Sequence, residues 1–428
     1  MKQPTAHSPQ PILLQINTVV NSGSTGRLAE ELGQYVIENG WKSFIAFARN
    51  ENESSSVKIK IGNIFDIYWH GLLSRLFDKH GLGSKIATRK FIKQIEKIKP
   101  TIIHLHNIHG YYINYKILFS YLANNNIPVI WTMHDCWSFT GHCTYFTCVE
   151  CDKWKKLCFK CPQKKKYPAS IIFDRSEKNY KEKKYYFLLI KNKLTLISVS
   201  DWLCNVCSQS FFKSIAIYRI YNAVDTRVFK PIGEEERNRI IEKYKIAGSF
   251  LIIGVANVWD ERKGMDDFIK LRSLLPDKYS ILLVGLSENQ INNLPYGITG
   301  ITRTENISEL AGLYSSANVF FNPSVEETFG LTSIEAVSTG TPVIVYNSSA
   351  SPEIITQEIG FVVNIRNFSE IIETIYKIEE KGKNFYTEKC HNYIVEKYDK
   401  ITRNSEYLKM YNEIIQKWDT ALLPVINA

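Results

Sequence analysis

A chain of 428 residues is too long for one ordinary hydrophobic core, so two domains are expected. Its 44% hydrophobic and 13% aromatic content excludes a disordered protein. The formal charge of +10 rests largely on a Lys-rich segment from Lys153 to Lys193, which reads as a solvated surface, a face for anionic lipid headgroups or a seat for a pyrophosphate-linked substrate. Nucleic acid is disfavoured, because no nucleic-acid-binding module is recognisable. The N-terminus, MKQPTAHSPQP, lacks the apolar core of a secretory signal, and the longest uncharged stretch, Ile117 to Met133, is broken by Asn124-Asn125-Asn126 and Pro128. A cytoplasmic protein is expected, with the inner face of the cytoplasmic membrane as a second location.

Pro11 to Val20 reads as a first strand. Gly23-Ser24-Thr25-Gly26 follows in the manner of a phosphate loop and leads into an amphipathic helix, Arg27 to Glu38. Short apolar runs at Trp41 to Ala48, Thr101 to Leu105, Val129 to Met133 and Leu194 to Val199 alternate with helical patterns such as Lys85 to Lys99, which predicts a parallel sheet covered on both faces. Phe229-Lys230-Pro231 is linker-like. Beyond it the alternation restarts, with strands at Phe250 to Ala256, Ser280 to Val284, Ala317 to Phe321 and Thr341 to Val345, and helices at Met265 to Leu275, Ser308 to Ser316 and Phe368 to Lys381. The fold class is therefore α/β, two Rossmann-like domains facing across a cleft, and Arg403 to Trp418 reads as a terminal helix packing back on the first domain. The expected boundaries are 1–222, with a Cys-rich insert at 136–166, then 223–402, then 403–428.

The chemistry concentrates just past the predicted strands, where open parallel sheets bind ligands. NPSVEETFGLTSIEAVSTGTPVIVY, residues 322–346, places Glu327 and Glu335 eight residues apart across a strand-to-helix turn. Helix amides there suit a phosphate, and the deeper carboxylate suits a ribose. The plainer alternative is a glutamate at a helix dipole and a solvated helix residue. Asp260-Glu261-Arg262-Lys263-Gly264 sets two cations side by side where the second half's first strand gives way to a helix, a pattern suited to a diphosphate. His134, ending Thr132-Met133-His134-Asp135, would offer a neutral imidazole to a sugar hydroxyl or serve structure only. His104, His106 and His109 are better explained by alternation along a strand than by a metal. No Asp-x-Asp triplet occurs, which argues against a diphosphate held through a carboxylate-bound metal.

Cys143, Cys148, Cys151, Cys158 and Cys161 crowd into GHCTYFTCVECDKWKKLCFKCPQ. Two C-x-x-C pairs in a chain read as cytosolic favour structural Zn²⁺ over disulfides, the alternative being free thiols, and spacing leaves open which four would ligate. Cys143, Cys151, Cys158 and Cys161 are the expected set, with Cys148 as an alternative ligand.

Taken together, VEETFGLTSIEAVSTGTPVIV and DERKG resemble the Glu-x7-Glu motif and Arg-Lys pair of the retaining glycosyltransferases of family 4, which have the GT-B fold. GSTGR at 23–27, HLHNIHGYY, WTMHDCWSFTGHC and IYNAVDTRVFKP look like the subgroup of bacterial capsule and exopolysaccharide synthesis. The resemblance implies transfer of a sugar from a nucleotide-diphosphate donor, carrying UDP or GDP, to a lipid-linked or oligosaccharide acceptor, with no catalytic cofactor. It assigns Glu335 to the ribose, Glu327 to a donor-sugar hydroxyl, Arg262 and Lys263 to the diphosphate, and His134 to the donor sugar. Phe329, Gly330 and Leu331 would complete the donor site, and Gly23, Gly26 and Arg27 would approach the phosphates and acceptor. Where the subgroup pattern calls for Gly-Gly-Cys this chain has Gly141-His142-Cys143. Rival readings are a GT-B sugar-nucleotide epimerase, which needs further acid/base carboxylates, and a non-catalytic, Zn-containing basic binding protein.

Overall fold

The computed structural model describes residues 10–422, which form two compact units. One takes in the chain up to Ile220 together with the residues from Asn404 onward, and the other is Tyr221–Arg403. Among the described residues no helix is long and apolar enough to cross a membrane.

In the first unit the chain runs through β1 (Ile12–Ile16), α1 (Gly23–Glu38), β2 (Lys42–Phe47), β3 (Val57–Lys60), α2 (Ile64–Phe77), α3 (Lys85–Ile98), β4 (Ile102–Leu105), α4 (Tyr115–Ala123) and β5 (Val129–Met133). After the Cys-rich insert come α5 (Ser176–Leu188), β6 (Leu194–Ser198), α6 (Asp201–Gln209) and β7 (Ala216–Arg219). The sheet is parallel throughout, in the order β3-β2-β1-β4-β5-β6-β7. Its central strands are apolar on both faces, as β5 shows with every residue buried.

The second unit holds α7 (Glu234–Lys243), β8 (Phe250–Val255), α8 (Met265–Leu274), β9 (Tyr279–Val284), α9 (Glu288–Asn292), β10 (Ile298–Ile301), α10 (Ile307–Ser316), β11 (Val319–Asn322), α11 (Leu331–Ser338), β12 (Val343–Tyr346), β13 (Gly360–Val363), α12 (Phe368–Lys381) and α13 (Lys383–Tyr398). Its parallel sheet follows the same plan, β10-β9-β8-β11-β12-β13. The strand order reverses between β1 and β4 in one sheet and between β8 and β11 in the other. At such a point the loops leave the carboxyl ends in opposite directions and open a crevice.

The last helix, α14 (Lys400–Leu422), supplies the first unit with Tyr407 and Tyr411, which pack with Leu13, Leu32, Trp41, Ile102 and Ile130. Tyr411 is fully buried, and its hydroxyl meets His104 Nδ1 at 2.6 Å. His104 Nε2 meets the Thr132 hydroxyl at 2.8 Å, so both ring nitrogens are used. Burial lowers His104 to about 3 and keeps it neutral.

Four strands have no counterpart in the sequence reading, β3, β7, β10 and β13, and they are the four edges of the two sheets. An edge strand is covered less completely, so it lacks the unbroken apolar run that marks a central one: in β7 no residue is buried. Helix α1 begins at Gly23 and not at Arg27, so Gly23-Ser24-Thr25-Gly26 is its first turn and not a loop leading into it. Gly26 is required there for packing, since a Cβ would lie 2.9 Å from Val19 Cγ2.

Candidate active site

In the second unit the two loops at the sheet reversal are built against each other. After β8, Trp259 Nε1 donates to the Val284 carbonyl at 2.9 Å and anchors the loop, and the Asp260 side chain accepts from Lys263 N at 3.1 Å to start a single 3-10 turn, Glu261–Lys263. Gly264 then takes φ +72°, and a Cβ there would stand 2.8 Å from the Pro323 carbonyl oxygen. Only glycine lets this turn sit so close to the end of β11.

The loop after β11 is tied to that turn by three contacts. Val325 N donates to the Arg262 carbonyl at 3.0 Å, Arg262 Nη1 donates to the Glu326 carbonyl at 2.9 Å, and Lys263 Nζ pairs with Glu327 Oε1. Glu327 N donates to Ser349 Oγ at 2.7 Å, which fixes the carboxylate's backbone from the far side. Both members of the pair are largely withdrawn from water, with side chains 18% and 11% exposed. Burial favours a neutral Glu327, but the charges of Lys263 and Arg262 outweigh it and hold the carboxyl below its usual range. Burial and the neighbouring Arg262 lower Lys263, against the pull of Glu327.

Gly330, at φ +98°, turns the chain into α11, whose first turn presents backbone N–H groups at the same place. The helix starts at Leu331, so Glu335 is its fifth residue, one turn in. Glu335 is 3% exposed and accepts a hydrogen bond from the Tyr314 hydroxyl at 3.1 Å. Phe329 is buried among Tyr221 and Tyr398, with ring centroids 5.9 Å from each, which makes it a packing residue. Arg262, Lys263, Glu327 and Gly330 are thus brought together, and Glu335 lies deeper. Ser349 and Tyr314 escaped the sequence reading, because a serine in a loop and a tyrosine in an amphipathic helix carry no local signal.

The first unit gathers its own polar group where β4 and β5 end. His106 Nδ1 and His134 Nε2 stand 3.1 Å apart, His106 Nε2 meets Gln15 Oε1 at 3.0 Å, and His109 Nε2 meets Asp135 Oδ2 at 2.7 Å. His106, His109, His134 and Asp135 line one small concavity. Burial takes His134 down to about 4, with Asp135 opposing, so the imidazole is neutral near pH 7. His104 lies in β4 and His106 just past its end, with ring centroids 4.1 Å apart, whereas His109 lies beyond the strand, where alternation along it does not apply. Gly23 is exposed at the start of α1, and Arg27 lies one turn further along.

The insert is organised around its cysteines. Cys143, Cys151, Cys158 and Cys161 line one small cavity with His142, Phe146 and Trp154. Cys148 is exposed instead, its sulfur accepting from Gln163 Nε2 at 3.0 Å. The hydrogen bond from Cys143 draws Cys161 down to about 7 against its burial. Among the described residues, the group whose ligand atoms come within metal-binding reach of one another is Asp78, His80 and His142, which sequence spacing could not reveal. These three are occupied by protein: His142 Nδ1 meets Asp78 Oδ1 at 2.7 Å, Asp78 Oδ2 accepts from Arg175 N at 2.8 Å, and His80 Nδ1 accepts from Trp137 Nε1 at 2.8 Å. The Lys-rich segment is not uniformly solvated. Lys183 is fully buried, its Nζ donating to the carbonyls of Trp137 at 2.7 Å and Thr140 at 3.1 Å, and burial lowers it to about 7.

Residues 25–228 match the family model Glycosyltransferase Family 4, and residues 249–380 match the model Glycosyl transferases group 1. The chain belongs to the family 4 glycosyltransferases, and its two parallel-sheet units are those of the GT-B fold. It is similar to the putative colanic acid biosynthesis glycosyl transferase WcaC of Escherichia coli strain K12, 24% identical over 382 residues, which are 84% of this chain and 89% of that protein. Among solved structures it resembles sucrose-phosphate synthase from Thermosynechococcus elongatus, with a TM-score of 0.71, 16% identity and coverage of 95% of this chain and 100% of that one. It also resembles Anabaena Alr3699/HepE in complex with UDP, with a TM-score of 0.63, 13% identity and coverage of 94% and 100%. At such identities the structural likenesses speak for the fold alone.

Proposed function

We propose that the protein transfers a sugar, with retained anomeric configuration, from a nucleotide-diphosphate donor to a glycan or lipid-linked acceptor of a bacterial surface polysaccharide. The observation that carries this reading is the hydrogen-bonded junction of the Arg262-Lys263 turn with the Val325–Glu327 loop, beside the first turn of α11. Two cations and a row of helix amides form a seat for a diphosphate, with a carboxylate beside it for a sugar hydroxyl. The WcaC relative supports the polysaccharide setting.

In this reaction the glycosidic carbon–oxygen bond to the diphosphate breaks while the acceptor hydroxyl forms the new bond on the same face. A phosphate oxygen takes the hydroxyl proton. The protein supplies charge already in place where charge develops, from Arg262, Lys263 and the α11 amides. Glu335 is assigned to the ribose, which requires its contact with Tyr314 to give way or to be shared. Neutral His134 offers a hydrogen bond to a sugar hydroxyl, and Gly23, Gly26 and Arg27 are assigned to the phosphates and acceptor.

A structural zinc ion is assigned to Cys143, Cys151, Cys158 and Cys161, whose sulfurs line one cavity but would have to draw closer together to hold it. Cys148 does not line that cavity. Such an ion would stiffen the insert without entering the reaction.

The test is thermal stabilisation by a panel of UDP-, GDP- and ADP-sugars, followed by transfer assays with the donor that binds. A ligand at a hundred times its Kd raises stability by about 2.7 kcal/mol. The reading fails if no nucleotide sugar stabilises the protein, or if donor and acceptor give product of inverted configuration.

A further inference from the structure

Helix α2 turns apolar side chains to solvent. Ile67 turns inward and is buried, with His70 and Ser74, whereas Ile64, Phe65, Tyr68, Trp69 and Leu72 are 54%, 78%, 71%, 60% and 44% exposed. At 3.6 residues per turn Phe65, Tyr68, Trp69 and Leu72 form a single outward stripe, where a surface helix ordinarily shows a polar face.

The stripe continues onto a second segment. Ile171, Ile172 and Phe173 are 67%, 57% and 52% exposed. Ile171 N donates to the Arg75 carbonyl at 2.7 Å, and the Phe173 ring stacks on Phe77 with centroids 5.7 Å apart, so the two segments make one surface.

The surface is fringed by positive charge. Arg75 flanks it on the helix and Lys79 follows the helix's C-cap, and Lys164, Lys165 and Lys166 lead into the second segment, with Lys164 Nζ donating to the Ile172 carbonyl at 3.2 Å. The acids of the two segments are engaged locally: Asp66 accepts from Asn63 N, Asp78 from Arg175 N, and Asp174 from Cys161 N and Ser176 N.

We propose that this face of the first unit docks on an anionic lipid bilayer. Phe65, Trp69, Leu72 and Ile172 enter the boundary between headgroups and acyl chains, and the surrounding lysines meet headgroup phosphates. Aromatic side chains on an apolar stripe with a cationic fringe are the composition that binds such an interface. A second copy is disfavoured, because a two-fold contact would bring the basic fringes of both copies together. The surface replaces the whole Lys153 to Lys193 segment as the lipid contact, since Lys183 is buried. The inference stands apart from the proposed reaction, and its test reads binding and not catalysis.

The full chain is sedimented with vesicles of phosphatidylcholine alone and with vesicles containing phosphatidylglycerol. Binding is expected to the anionic vesicles and to fall as salt rises. Trp69→Glu and Ile172→Asp should each weaken it by about tenfold or more, with unchanged circular dichroism and melting. Lys181→Glu, on the exposed side of α5, should leave it unchanged. Equal sedimentation with both vesicle types, full binding by Trp69→Glu, or a dimer in solution that Trp69→Glu splits into monomers would each overturn the proposal.

Discussion

Lys263 and Glu327 form an ion pair that joins the turn after β8 to the loop after β11. Each is buried enough that neither would be comfortable alone. In the proposed reaction an arriving diphosphate takes over Lys263 and releases Glu327 to a sugar hydroxyl, so the pair holds the site's charges in position until the donor replaces half of it.

Lys263→Ala is therefore expected to lower kcat by roughly a hundredfold to a thousandfold, the loss seen when one preorganised charge is removed from a transition state. The fold should survive, because Arg262 remains beside Glu327. Circular dichroism and turnover with the correct donor check both parts, and near-normal turnover would remove Lys263 from the diphosphate site.

Glu335→Gln keeps the shape of the side chain and an acceptor for Tyr314, so melting should change little. If the carboxylate holds the ribose, the loss falls on donor binding, with KM raised about tenfold and kcat changed less, as expected when a charged hydrogen bond becomes a neutral one. A fall in kcat at unchanged KM would contradict the ribose assignment.

The His104–Tyr411 contact predicts a pH dependence of stability. Folded His104 takes up a proton only near pH 3, whereas an unfolded histidine does so near 6.5. The unfolded chain thus holds more protons between those values, so stability is full above about pH 6.5 and falls as pH drops toward 3. His104→Asn should reduce that slope by up to about 1.4 kcal/mol per pH unit in urea titrations. Tyr411→Phe, which leaves a buried ring nitrogen without its partner, should cost about 1–3 kcal/mol at neutral pH.

For the insert, elemental analysis of the purified protein should find about one zinc per chain. Cys143→Ser and Cys158→Ser should lose the metal and lower the melting temperature, and Cys148→Ser should keep both. Retention of zinc by Cys158→Ser would reject the proposed ligand set.

The sequence marked the sheet interiors well because burial on both faces writes itself as an apolar run, as at Val129–Met133, and the one-sided apolar stripe of the helix Phe368–Lys381 was as plain; both have the same limits in the structure. Edge strands were invisible for the converse reason. Arg262, Lys263 and Glu327 were legible because a strand-to-helix turn announces itself locally. What pairs with what was not: Lys263 and Glu327 lie 64 residues apart, and the burial of Lys183 depends on carbonyls 43 and 46 residues away. Composition reads such a lysine as solvent-loving, whereas the fold turns it inward onto the backbone of the insert.

The bond between His104 and Tyr411 closes a loop of 307 residues. Because a chain is made from its N-terminus, His104 emerges long before the helix that covers it, and at about 5–20 residues per second that interval is roughly 15–60 s. The Tyr221–Arg403 unit is continuous in sequence and has all its residues in hand sooner. The unit begun first is the one finished last, and a chain cut short before Tyr407 would leave Leu13, Trp41 and Ile102 without their cover, a surface suited to aggregation or to capture by a chaperone.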